Sequence, residues 1–195
     1  MKRILFVCTG NTCRSPMAEG FLRTMLGKEN IEADIRSAGL FASDGAPISA
    51  KASSLLKEKG FEQSISSKRL SDESVEWADL ILTMTMNHKQ HVAMQYPEAV
   101  EKVYTLKEYV EEGAKSQQEQ QERERTISEI QIKLSLGQEL TKEETKKWEH
   151  VQLSYPDYDI ADPFGGTEED YRRCAEELEH VLKKLVEKLK NGERN

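Results

Sequence analysis

Cys8 and Arg14 stand six positions apart, with the five residues Thr9-Gly10-Asn11-Thr12-Cys13 between them. The segment lies between the apolar run Ile4-Leu5-Phe6-Val7 and a stretch of helical character that opens at Ser15-Pro16. A strand that ends in a glycine-bearing loop and feeds a helix points backbone N–H groups and the positive end of the helix dipole at one spot, which makes an anion site. The same field favours the thiolate of Cys8, the form that attacks. Arg14 adds a planar fork of donors that matches two phosphate oxygens at once. Ser15 suits an N-cap and Pro16 the first helical position. These residue types describe a nucleophile in an anion cradle; a buried structural Cys beside a surface Arg is the plainer alternative.

A thiolate that displaces a phosphoester or a phosphoramidate needs its leaving group protonated. Asp162, in Asp162-Pro163-Phe164-Gly165-Gly166, is the candidate acid. As a carboxylate it could then take a proton from the water that attacks a phosphocysteine. The same five residues also have the composition of a simple turn. Phe41 and Phe164 offer flat rings that could wall in either a guanidinium or a phenol. Cys13 could form a reversible disulfide with Cys8 that protects it from further oxidation, or could be a packed thiol. Cys8, Cys13, His88 and His91 could be taken for zinc ligands, but Cys-x4-Cys and His-x2-His miss the usual spacings and Arg14 sits beside them. The chemistry expected here uses no metal and no cofactor.

The elements that must hold these residues follow from the alternation of short aliphatic runs with helical patterns, which predicts parallel strands joined by crossover helices. Strands are expected near Lys2 to Val7, Ala33 to Ser37, Leu80 to Met84 and Lys102 to Thr105. Helices are expected over Pro16 to Leu26, Pro47 to Lys59 and Thr167 to Lys190. The last opens on a Thr-x-x-Asp capping pattern and repeats Leu178, Val181, Leu182, Leu185, Val186 and Leu189 at helical spacing. The expected fold is one α/β domain over residues 1–195, doubly wound, with a four-stranded parallel sheet flanked by helices. Such sheets bind ligands at the carboxyl ends of their strands, where the Cys8 loop falls.

At 195 residues, 37% hydrophobic and 32% charged, with a net charge of -7, the chain suits one acidic domain with a real core. That balance argues against a nucleic-acid or membrane-surface binder. The apolar run after Met1-Lys2-Arg3 is too short for a signal-peptide core, and no run suits a membrane span. Three Cys without framework spacing fit a reducing compartment, so a cytoplasmic location is expected.

Taken together, Val7-Cys8-Thr9-Gly10-Asn11-Thr12-Cys13-Arg14-Ser15-Pro16-Met17-Ala18-Glu19 resembles the phosphate-binding loop of the low-molecular-weight protein tyrosine phosphatase family. Ser37-Ala38-Gly39, Asp79-Leu80-Ile81-Leu82-Thr83-Met84 and Asp162-Pro163-Phe164-Gly165-Gly166 follow in the order that the family uses. The resemblance implies a cysteine-dependent protein phosphatase acting on phosphorylated proteins, with Cys8 as nucleophile, Arg14 on the phosphate and Asp162 as general acid. It also implies that Thr9, Gly10, Asn11, Thr12, Cys13 and Ser15 form the phosphate site. Asn11 and Ser37 match positions that brace the loop, and Ser15 matches a hydroxyl that assists the departing Cys8 thiolate. Asn11 could equally serve by tolerating a left-handed conformation, and Ser15 as a cap.

Two positions depart from the family pattern: residues Gln63 to Ser67 hold no bracing His, and Thr85 stands where many members carry an acid. Thr12 in place of a branched aliphatic, and a single aromatic in the Asp162 loop, are similar to the protein arginine phosphatase branch, with a tyrosine phosphatase as the alternative. An arsenate reductase would need further redox cysteines, and Met84 to Tyr96 contains none. A phosphate-binding module without turnover is the remaining reading.

One stretch stands apart. From about Glu111 to Leu153 the chain is rich in Gln, Glu, Arg and Lys, anchored by Ile127, Ile130, Leu134, Leu140 and Trp148, and split by Gly137. It is expected as a charged helical insertion at about 111–153, two helices in a hairpin with Thr141-x-x-Glu144 capping the second. It is either a solvated excursion or a surface for protein contacts or a lid.

Overall fold

The structure, a computed structural model, describes residues 1–111, 117–153 and 157–192. Strands β1 (Lys2–Cys8), β2 (Ala33–Gly39), β3 (Leu80–Thr83) and β4 (Val103–Thr105) form one sheet in the order β2-β1-β3-β4, with every neighbouring pair parallel. The helices are α1 (Arg14–Glu29), α2 (Ala50–Glu58), α3 (Asp72–Trp77), α4 (Met86–Gln95), α5 (Leu106–Glu111), α6 (Gln117–Ser135), α7 (Lys142–Leu153) and α8 (Glu168–Gly192). Two compact units divide the chain, one of residues 1–110 with 158–195 and one of residues 111–157.

In the first unit, Ile4 and Phe6 of β1 join α1, α2 and α8 in one apolar cluster, while Leu5 and Val7 join Val75 and Val92 of α3 and α4 in another. Both faces of the sheet are covered, which is why β1 reads as a continuous apolar run rather than an alternating one. The six periodic residues of α8, from Leu178 to Leu189, are all buried. Thr167 caps that helix: its Oγ1 accepts from Asp170 N at 3.3 Å and its N–H donates to Asp170 Oδ2 at 2.8 Å.

Two expected helix starts are corrected. Helix α1 begins at Arg14, two residues before Pro16, because the Ser15 side chain is taken by the preceding loop rather than by a cap. Helix α2 begins at Ala50 after Ser49; Pro47 instead forms an isolated bridge with Ser66, an extended setting that its fixed φ allows.

In the second unit α6 and α7 flank a turn with Gly137 at φ 68°. Thr141 Oγ1 accepts from Glu144 N at 3.3 Å and Thr141 N donates to Glu144 Oε2 at 2.9 Å, the reciprocal cap that the spacing predicts. Ile130 is buried but Leu134 is 49% exposed, so Leu134 is not the anchor expected of it. Residues 112–116 of this stretch lie outside the described residues. Among the described residues no helix is long and apolar enough to cross a membrane.

Candidate active site

The loop after β1 is fixed from three sides. Leu40 N donates to Cys8 O at 3.0 Å, Phe41 N to Thr9 O at 2.8 Å, and Ser49 N to Thr12 O at 2.8 Å. Asn11 is its hub. Fully buried and at φ 52°, Asn11 adopts the left-handed conformation that Asn tolerates best among non-glycine residues, and it braces the loop as well. Its Nδ2 donates to Ser15 Oγ and to Ser37 Oγ, both at 2.8 Å; Lys68 N donates to its Oδ1 and Ser67 Oγ to its O, again at 2.8 Å. Ser67 and the Lys68 backbone thus meet Asn11 in a chain that has no bracing His there.

Behind Asn11, Ser37 Oγ donates to Glu19 Oε2 at 2.5 Å, and Glu19 pairs with Arg23 at 2.8 Å. Burial pushes the Glu19 carboxyl above its usual value, opposed by the Ser37 bond and the Arg23 charge.

Cys8 Sγ lies 3.0 Å from Ser15 Oγ and accepts from Asn11 N at 3.3 Å. Ser15 Oγ receives a hydrogen from Asn11, so its own is available to the nearer of its two acceptors, Cys8 Sγ rather than Ala38 O at 3.4 Å. That arrangement aims two hydrogens, from Ser15 Oγ and Asn11 N, at the Cys8 sulfur. Among the described residues no side chain caps α1; Pro16 has no N–H and Met17 N donates to Cys13 O, so the Arg14 and Ser15 N–H groups remain for an anion. A cavity of about 180 Å³ opens there, lined by Cys8, Thr9, Gly10, Thr12, Cys13, Arg14, Asp162 and Phe164. Arg14 is buried, its Nη1 donating to Ile160 O at 3.1 Å and its Nη2 to Asp162 Oδ2 at 2.7 Å. Asp162 Oδ1 accepts from Phe164 N at 3.2 Å, so the acid also closes its own turn.

The Phe41 ring lies outside the lining of this cavity and packs edge-on against His91 at 5.2 Å, while its backbone N–H holds the loop. Both ring nitrogens of His88 are engaged by hydroxyls, Nε2 with Thr9 Oγ1 at 2.8 Å and Nδ1 with Thr85 Oγ1 at 2.9 Å. Among the described residues no group of three or more His, Cys, Asp or Glu could hold a metal. Cys13 Sγ lies 3.0 Å from Tyr171 Oη, and all three cysteines are free and buried. Burial pushes the Cys174 thiol up to about 12, which makes it a poor partner in a thiol relay.

Sequence reasoning assigned no site role to Glu19, Ser67, Lys68 or Tyr171, and weighed His88 only as a metal ligand. For Glu19 the available signal was an acid on the helix that carries Met17, Phe21 and Leu22 inward. For His88 it was the Thr85-x-x-His88 spacing of a helix start.

The family model for low molecular weight phosphotyrosine protein phosphatase matches residues 3–125. A protein-arginine-phosphatase of Geobacillus stearothermophilus is 37% identical over 187 residues, covering 96% of this chain and 95% of the relative. A low molecular weight protein-tyrosine-phosphatase, PtpB of Staphylococcus haemolyticus, is 33% identical over 183 residues, covering 94% and 96%. Among solved structures, a Cys-to-Ser mutant of the YwlE arginine phosphatase with a phosphorylated active-site serine superposes with a TM-score of 0.73 at 33% identity, covering 98% of each chain. With its parallel sheet and a Cys-x5-Arg loop at the end of the first strand, the chain belongs to the low molecular weight phosphotyrosine protein phosphatase family.

Proposed function

We propose that this phosphatase hydrolyses phosphoarginine in proteins through a phosphocysteine intermediate. One observation carries the reading: Cys8, Thr12, Arg14 and Asp162 line the same cavity. The Cys8 thiolate attacks phosphorus as the P–N bond breaks, and the protonated carboxyl of Asp162 gives its proton to the leaving guanidine nitrogen. Loop N–H groups and Arg14 stabilise the equatorial oxygens. Water then attacks the phosphocysteine, the Asp162 carboxylate takes its proton, and the P–S bond breaks to return the thiolate and inorganic phosphate. The Thr12 hydroxyl offers a small polar wall to a guanidinium, or to the attacking water, where a branched aliphatic could not hydrogen-bond.

The arginine assignment draws support from the name of the Geobacillus relative, and a tyrosine assignment from that of the Staphylococcus relative. A nucleophilic thiol and two further free thiols suit a reducing, cytoplasmic setting.

The deciding experiment is kcat/KM on matched phosphoarginine and phosphotyrosine peptides, for the native chain and for Thr12→Ile, with chelator present. Preference for phosphoarginine that reverses on substitution supports the assignment and makes Thr12 the specificity residue. Preference for phosphotyrosine in both leaves the mechanism and removes the substrate, and turnover of neither restores the binding-only reading.

A further inference from the structure

Resting on the phosphatase reading above, we propose that His88 is a positioning residue that aims the hydroxyl hydrogen of Thr9 into the phosphoryl cavity. The two residues follow neighbouring strands, β1 and β3, at the point where the strand order of the sheet reverses. A hydrogen-bonded chain joins them: Thr85 Oγ1 lies 2.9 Å from His88 Nδ1, and His88 Nε2 lies 2.8 Å from Thr9 Oγ1.

Counting hydrogens gives the chain a direction. Thr85 Oγ1 already accepts the backbone N–H of His88 at 3.2 Å as the cap of α4. Among the described residues, the acceptor in reach of its own hydrogen is Nδ1. A neutral imidazole that accepts at Nδ1 carries its hydrogen at Nε2. Nε2 therefore donates to Thr9 Oγ1 and leaves the Thr9 hydrogen unspent. The opposite tautomer would turn that hydrogen back toward Nε2 and out of the cavity. Burial and the nearby Arg14 charge lower the His88 pKa to about 4, so the ring is neutral at ordinary pH. Thr9 lines the cavity beside Cys8 and Arg14, and its hydrogen becomes a fixed donor to a phosphoryl oxygen.

The test measures kcat/KM on p-nitrophenyl phosphate, and inhibition by inorganic phosphate, for the native chain, Thr9→Ser, Thr9→Val, His88→Leu and the Thr9→Val/His88→Leu double variant. Thr9→Ser is expected within about twofold of native; Thr9→Val and His88→Leu should each lose about tenfold, as for one hydrogen bond. The double variant should fall no further than the worse single one, and phosphate inhibition should weaken in parallel. Multiplying losses in the double variant overturn the proposal, because His88 then acts independently of Thr9. Native activity in Thr9→Val, or a Thr9→Ser loss equal to it, also overturns it. Should melting curves show that His88→Leu does not fold, the same cycle run with Thr85→Val reads the same coupling. A native chain without p-nitrophenyl phosphate turnover sinks the phosphatase reading instead.

Discussion

The Cys8–Ser15 loop and the Asp162–Gly166 loop face one cavity and are held by opposite means. Asn11 in the first is fully buried and makes side-chain bonds to Ser15, Ser37 and the Lys68 backbone. Asp162 in the second keeps half of its side chain exposed, and Phe164 is 75% exposed. That loop is secured by its own turn, by Lys51 Nζ on Gly166 O and by the Arg14 ion pair. The difference teaches a division of labour. Donors that stabilise developing charge gain by being fixed in advance, since no reorganisation is then needed in the transition state. A group that gives up a proton and takes one back has to exchange partners, and contacts that water can replace allow it.

The comparison breaks first at Gly39, where the rigid loop rests against β2. A Cβ there would lie 2.7 Å from Asn11 N and 2.8 Å from Thr9 O, backbone on both sides, so the loop itself would have to move. Gly39→Ala is expected to lower kcat/KM on a phosphoarginine peptide on the order of 10³-fold, because displaced N–H groups no longer meet the oxygens. Overpacking should also cost about 1–3 kcal/mol of stability in a denaturant titration. A native rate in a folded Gly39→Ala protein would show that the loop tolerates displacement and would remove the contrast.

The exposed side of the comparison is sharpened by Asp162→Asn. An amide cannot protonate the leaving group, so phosphoarginine turnover should fall on the order of 10²-fold, and p-nitrophenyl phosphate turnover much less, because nitrophenolate leaves without help. The same substitution removes the negative charge that holds Arg14 Nη2 at 2.7 Å. Inorganic phosphate should therefore inhibit more tightly, by a few fold. Equal losses on both substrates would mean that Asp162 positions Arg14 rather than transferring a proton.

Legibility in the sequence followed the range of the contacts. Cys8, Arg14 and the strand, loop and helix that hold them are contiguous, so local pattern sufficed to predict them. Asp162 meets Arg14 across 148 positions, and it took the Cys8 loop and the resemblance together to single it out from an ordinary turn. The bracing of the loop was harder still: Ser67 reaches Asn11 across 56 positions and His88 reaches Thr9 across 79, with no local periodicity to announce either. Ser15 shows the converse. Its type suits a helix cap, but its bonds to Cys8 and Asn11 outweigh that preference, and α1 starts earlier than the cap rule places it. The Phe41 ring lies against His91 and not in the cavity lining, a side that an aromatic residue does not mark in the sequence.

The smallest expected effect is on stability, and it comes from the histidine that touches the rigid loop. Burial first, and the Arg14 charge second, lower the His88 pKa to about 4, against an unfolded value of about 6.5. Between those values the unfolded chain binds the proton and the folded chain does not, so folding stability falls as pH drops and is fully present only above about 6.5. From pH 7 to 5.5 this group alone should remove about 1.2 kcal/mol, roughly an eightfold change in the unfolding equilibrium. The measurement is urea unfolding of the native chain and of His88→Gln at both pH values. Glu19, whose carboxyl is raised by burial, works in the opposite sense: protonation at lower pH relieves its buried charge and favours the folded state. His88→Gln leaves that contribution in place, so the change in slope between the two proteins isolates the imidazole. An unchanged slope would mean that His88 titrates in the folded protein as it does in the unfolded chain, and the shielding assigned to the rigid side of the cavity would be lost with it.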